Sequence, residues 1–143
     1  MKTLETSIII KSSPARIWDR LTDFESYPEW NPFIIHIKGR PRLRERLKVT
    51  IQPPDSKTMV FRPQVTLFHK QKTFAWLGSL LIRGLFDGHH IFEIHDQGDG
   101  SCMFIHKEEF SGLLVPLFWS KININTRAGF IEMNEKLKKR CEG

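Results

Sequence analysis

Three residues in the second half of the chain have the types and spacing for proton chemistry away from water. In the run His89 to His95 alternate side chains fall on opposite faces of a strand. His90, Phe92 and Ile94 share one face, and His89, Ile91, Glu93 and His95 share the other. The run Cys102 to Phe110 groups Cys102, Phe104, His106, Glu108 and Phe110, the more apolar set and hence the inner one. The stretch Asp96-Gln97-Gly98-Asp99-Gly100 between the runs is a hairpin connection, so the strands pair antiparallel. One register sets His90 opposite Glu108 and Phe92 opposite His106; a slip of two residues sets His90 against His106. Either register leaves Glu108 within reach of an imidazole. His90, His106 and Glu108 could anchor a ligand carbonyl or hydroxyl, or act as acid and base. They could also form a buried His–Glu pair that satisfies itself, the commoner arrangement, because buried polar groups are normally paired.

Other chemistries find less support. The chain has six histidines, but His89 and His90 face opposite ways, His36 and His69 are remote, and no His-x-x-x-His or mixed Cys/His spacing occurs, so no metal site is expected. No Gly-x-Ser-x-Gly elbow exists for serine chemistry. Asn31 beside Trp30 reads as a turn former. Trp30, Phe61, Trp76 and Phe86 could line a pocket, although aromatic residues of a small chain more often fill its core. Nothing calls for a cofactor.

The elements that position these groups follow from the change of hydrophobic period along the chain. Leu4 to Lys11 is rich in β-branched residues and reads as a strand. Ser13-Pro14 is a helix start, with Ile17, Trp18 and Leu21 on one face of a short helix that ends near Asp23. Two prolines around Tyr27 to Pro32 allow only one further turn. Six strand-like runs follow: Phe33 to Lys38, Arg46 to Gln52, Thr58 to Phe68, Thr73 to Ile82, His89 to His95 and Cys102 to Phe110. Hairpin-length links join them, so seven antiparallel strands are expected in all. The last stretch, from Pro116 to Arg140, carries Ile122, Phe130, Met133 and Leu137 at helical steps. Roughly 25 residues at about 1.5 Å each make a helix that can cross a small sheet. A curled sheet with such a helix on its concave face can retain a hollow. Ala128 and Gly129 are small and are expected to leave room there.

Composition sets the class. The chain has 143 residues, 40% hydrophobic and 27% charged, with 11 Phe and 4 Trp. It is expected to form one domain with its own core, rich in aromatic bulk. Cys102 and Cys141 give no disulfide framework or C-x-x-C pair, so free thiols and a cytoplasmic location are expected. Ile8-Ile9-Ile10 is too short for a signal sequence, and no transmembrane segment is expected. The net charge is +6. The alternate basic residues Arg40, Arg42, Arg44, Arg46 and Lys48 suit the solvent face of an edge strand. A protein or RNA partner for this basic face is the weaker reading, and no DNA partner is expected.

Several stretches in order are similar to the START/polyketide cyclase superfamily, also called SRPBCC. They are the helix start from Pro14 to Trp18, Trp30-Asn31-Pro32, Trp76-Leu77-Gly78, Gly84-Leu85-Phe86-Asp87-Gly88 before His90-Ile91-Phe92, and Glu108-Glu109-Phe110-Ser111-Gly112-Leu113-Leu114. The resemblance implies an α+β helix-grip fold, a seven-stranded curved antiparallel sheet wrapped around a long C-terminal helix, with two short helices between the first two strands. It implies an apolar cavity for a small hydrophobic molecule such as a lipid or polyketide, and enzymatic activity in a minority of members. The superfamily carries no fixed catalytic set. Two departures stand out: Arg44-Glu45-Arg46 where relatives often have a glycine, and His89 where an acidic residue is frequent. On this reading Trp30, Phe61, Trp76, Phe86, His90, Phe92, Phe104, His106, Glu108, Ile122, Phe130 and Met133 are the expected ligand contacts. An aromatase/cyclase-type enzyme would use His90, His106 or Glu108 for proton transfer. Because the basic stretch is read as solvated, replacing Arg42, Arg44 and Arg46 together by Ser is expected to leave the thermal midpoint within a few degrees. Surface changes usually cost within about 0.5 kcal/mol each. Loss of a salt-sensitive RNA complex in the same variant would show that the charges serve a partner.

Overall fold

The computed structural model describes residues 1–80 and 82–143. The first strand, β1 (Lys2–Ile10), leads into α1 (Pro14–Thr22). The Ser13 hydroxyl accepts from the Arg16 amide at 3.1 Å and satisfies one of the free amides of the first turn, where Pro14 has none to offer. Ile17, Trp18 and Leu21 form the buried face of α1. A single tight turn, Phe24–Ser26, precedes the one-turn α2 (Tyr27–Trp30). Asn31 ends it, its side-chain oxygen accepting from the amides of Phe33 and Ile34 at 3.0 and 2.9 Å, the turn role expected of it.

The strands that follow are β2 (Ile34–Lys38), β3 (Lys48–Ile51), β4 (Met59–Phe61), β5 (Gln64–His69), β6 (Thr73–Ser79), β7 (Asp87–Asp96) and β8 (Cys102–Ser111). All pair antiparallel, in the orders β1-β8-β7-β6-β5 and β2-β3-β4. The strand expected over Thr58 to Phe68 is therefore two, which raises the count from seven to eight. Pro63 has no amide to give a ladder, so β4 pairs with β3, and β5 turns to pair with β6. Backbone bonds from Leu47 to Pro63 and from Val65 to Glu45 keep the two sheets joined at this corner. The strand expected over Thr73 to Ile82 stops at Ser79, and Leu81 within it lies outside the described residues.

The basic stretch is not an edge strand. Residues 39–45 form a bend in which Arg44 adopts a φ of 69°, a left-handed conformation that explains why a glycine suits this turn. Arg42 pairs with Glu45 at 3.0 Å, and the Arg46 guanidinium donates to the Arg62 carbonyl at 2.9 Å. Part of the charge thus serves local contacts that fix the bend.

The C-terminal helix runs as α3 (Val115–Lys121), a wider π turn (Ile122–Thr126) and α4 (Arg127–Glu142). Phe130, Met133 and Leu137 of α4 are fully buried against the sheet. Gly129 does not leave the room expected of it. A Cβ at that position would strike the Phe33 ring, which occupies the space. The same closeness lets Phe33 and Phe130 meet edge to face, with ring centroids 5.5 Å apart. Gly129→Ala should therefore destabilise by about 1 to 3 kcal/mol through overpacking, although alanine is the better helix former. Urea unfolding of both proteins checks it; an equal or more stable variant would mean that this contact is loose.

Candidate functional site

Strand pairing arranges the concave face in rows. One row runs Phe74, Phe92, His106, Thr6 across β6, β7, β8 and β1; the next is Trp76, His90, Glu108, Leu4; the third is Gly78, Gly88, Phe110, Lys2. His90 thus stands opposite Glu108 and Phe92 opposite His106, the first of the two registers consistent with the sequence. The first row is closed. Phe74, Phe92 and His106 are fully buried, and Phe130 stacks on the His106 ring at 3.8 Å between centroids. In the third row two neighbouring positions carry no side chain. Over Gly78, Gly88 and the Trp76–Glu108 row lies a cavity of about 240 Å³. Phe33, Val49, Ile51 and Phe61 wall it on the side of the smaller sheet, and Phe118 and Ile122 cover it from the helix. Its volume is below the roughly 300 Å³ at which drug-sized sites begin, which suits a small ligand.

Six of the expected contacts line this cavity: Phe61, Trp76, Phe86, His90, Glu108 and Ile122. The other six do not. Phe92, Phe104, His106, Phe130 and Met133 belong to the sealed part of the sheet and α4, where each is fully buried. Trp30 packs edge to face on Tyr27 of α2, at 5.1 Å between centroids. His106 is accordingly not a cavity group, and only His90 and Glu108 of the acid/base candidates are. Val49 and Ile51 were readable as alternate residues of the Arg46 to Gln52 run. Phe33 and Phe118 gave no signal beyond their type. Asn134, a polar residue four positions after Phe130 on the apolar stripe, was a signal that went unused.

Asn134 matters because of what it holds. His90 Nδ1 lies 3.4 Å from Glu108 Oε1, and His90 Nε2 lies 2.7 Å from His106 Nε2. His106 Nδ1 meets Asn134 Oδ1 at 2.9 Å, and Asn134 Nδ2 donates to Thr6 Oγ1 at 2.9 Å. The buried imidazoles are therefore strung on a line of hydrogen bonds from β1 through α4 to the cavity wall. Burial, with the nearby His90, holds the His106 ring well below the ordinary histidine value of 6.5, against the opposing effect of its bond to Asn134. Gly88 makes room for the carboxyl: a Cβ there would run into Glu108 Oε2. His89, the neighbour on the outer face, instead meets Thr66 Oγ1 at 2.8 Å.

The cover of the cavity is lightly anchored. Val115 is the buried residue of α3, the π turn buries none, and Leu117 is 75% exposed. π turns are rare and often sit at functional sites. No helix among the described residues is long and apolar enough to cross a membrane.

A family model described as polyketide cyclase / dehydrase and lipid transport matches residues 1–142. The chain belongs to the polyketide cyclase/dehydrase and lipid transport family. Membership supports a role in binding a hydrophobic ligand or in cyclisation. Solved structures place this family member among helix-grip folds. It is similar to norcoclaurine synthase of Thalictrum flavum, a point mutant in complex with a transition state analogue, with TM-score 0.75 and 12% identity over 99% of this chain and 94% of that one. It is similar to the aromatase/cyclase Zhui of a Streptomyces species, with TM-score 0.79 and 8% identity over 99% and 93% of the two chains. A hypothetical protein of Helicobacter pylori matches with TM-score 0.82 and 12% identity over 98% and 88%. At these identities the likeness is one of fold. Against curated proteins nothing matches.

Two outcomes follow from the geometry. The folded chain keeps His106 neutral, while unfolding restores its ordinary value of 6.5. The unfolded state then binds the extra proton as pH falls below that value, so this contribution is complete above it and is lost below it, at up to about 1.4 kcal/mol per pH unit. His106→Phe should give a shallower acid limb in denaturant titrations at neutral and acid pH; an unchanged slope would contradict the assignment. Amide exchange should also be faster over residues 115–126 than over 127–142, as few buried contacts hold the cover. Equal protection of both segments would contradict that.

Proposed function

We propose that residues 1–143 form a single domain that binds a small hydrophobic molecule, of the lipid or polyketide kind, between the sheet and the α3 end of the C-terminal helix, without a cofactor. The observation that carries this is the cavity of about 240 Å³ over Gly78 and Gly88, walled mostly by aromatic and aliphatic side chains, with His90 and Glu108 in the sheet wall and Lys121, Asn125 and Thr126 on the helix side. Such a site, mostly apolar with few convergent polar groups, has the usual make-up of a ligand pocket. The family description, which includes lipid transport, supports the same reading. The cytoplasm suits its two buried free thiols, Cys102 and Cys141.

A second reading, an aromatase/cyclase-type enzyme, is favoured by one specific observation: His90 is both at the cavity wall and bonded to a buried relay behind it. The similar Streptomyces protein is itself an aromatase/cyclase. His90 and Glu108 would then exchange a proton with the substrate, and His106 would support His90 without touching it.

Naphthalene, followed by its fluorescence, is expected to bind saturably with one molecule per chain, and Ile51→Trp, which fills the cavity, should abolish that binding while the protein stays folded. No saturable site in the wild type, or full binding by Ile51→Trp, would sink the ligand-binding reading. If a substrate is turned over, Glu108→Gln should lower kcat by about 10² or more with binding retained; undiminished turnover would rule out Glu108 as acid or base.

A further inference from the structure

We infer that the hydrogen bonds linking His90, His106, Asn134 and Thr6 all donate in one direction, away from the cavity, and leave Glu108 as an acceptor for a ligand hydroxyl. The molecule that fits is small and apolar and carries an alcoholic or phenolic O–H at its buried end. This rests on the proposed ligand-binding reading and specifies it.

The direction follows from counting protons. Thr6 has one hydroxyl proton and gives it to the His106 carbonyl at 2.9 Å, its partner across the β1–β8 ladder. The Thr6 oxygen can then only accept from Asn134, which fixes Nδ2 toward Thr6 and Oδ1 toward His106. An amide oxygen has no proton to offer, so His106 carries its hydrogen on Nδ1. A neutral ring protonated on Nδ1 has a bare Nε2. The 2.7 Å contact between the two imidazoles is therefore closed by the Nε2 hydrogen of His90.

His90 is left with Nδ1 facing Glu108 Oε1 at 3.4 Å, an ion-pair distance without hydrogen-bonding geometry. Oε1 is the oxygen nearer His90, and Oε2 keeps free lone pairs beside Gly88, whose missing side chain gives that oxygen its room. His90 is 4% exposed and the Glu108 side chain 16%, and Trp76, Phe110 and Leu4 stand around the pair. A ligand that fills the cavity takes water from this half-buried acceptor, which is costly unless a ligand O–H replaces it. A ligand lacking the hydroxyl leaves Oε2 bare and binds correspondingly worse. Asn134 and Thr6 touch no ligand; they are positioning residues that set which way His90 donates.

The test joins a spectroscopic reading to a matched probe series. Nitrogen NMR of the ¹⁵N-histidine-labelled protein reports which ring nitrogen of His106 carries the hydrogen, and naphthol, methoxynaphthalene and naphthalene are titrated as probes. The expected results are an Nδ1-protonated His106 and naphthol bound at least about tenfold tighter than either analogue. That preference should vanish in Glu108→Leu and shrink in Asn134→Leu, whereas Asn134→Asp, which keeps an acceptor for Nδ1, should retain the tautomer. If Asn134→Leu does not fold, the wild-type tautomer and Glu108→Leu decide alone. An Nε2-protonated His106, or equal affinity for naphthol and methoxynaphthalene while naphthalene binds, overturns this inference and leaves the ligand-binding reading standing. Failure of all three probes to bind overturns both.

Discussion

A curved sheet covered by a helix must fill each inward position with a side chain or leave a void. Gly78 and Gly88, side by side on β6 and β7, fill neither of theirs. Two rows further along, Phe74, Phe92 and His106 fill the same face completely. The difference between a closed core and a cavity is thus set by five residues on three strands. The C-terminal helix follows this division: α4 presses Phe130 and Met133 onto the filled rows, whereas α3 and the π turn span the empty one with little burial of their own. Rigidity at one end and a light cover at the other are consequences of the same sheet.

The boundary between the two regions is also where the polar groups lie. His106 is on the sealed side, held neutral by burial and bonded to Asn134. His90 and Glu108 are on the cavity side, one row away. A charge or an unmet donor in the sealed region would be expensive, so that region has to satisfy its polar atoms internally, and Thr6 and Asn134 do so. The cavity side can leave a lone pair for a visitor. Chemistry at the wall is therefore supported from behind by groups that a ligand does not meet.

Much of the fold was legible in the sequence because it rests on period and punctuation. Ser13-Pro14 announced α1, and the Asp96 to Gly100 turn set β7 against β8. The eighth strand was legible too, since Pro63 sits inside the run read as one strand, but the need for an amide at that position depends on which strand lies beside it. The site was half legible. Alternation tells which face a residue occupies and not how far along the strand the helix seals it, so Phe92 and His106 were grouped with His90 and Glu108. Gly129 was misread for a related reason: a small residue on a helix can mark a hollow or a close approach, and here the Phe33 ring has already taken the space. Phe33 lies almost a hundred residues earlier, and no local pattern connects the two.

The most direct measurement is backbone amide chemical-shift mapping of the protein saturated with naphthalene. If the empty row is the binding site, the largest changes fall at Gly78, Gly88 and the neighbouring Trp76 and His90, while Phe104 and Leu137 in the sealed region barely move. Changes centred on the basic bend at Arg40 to Arg46, or spread evenly through α4 and the sealed rows, would contradict a cavity made by the two glycines.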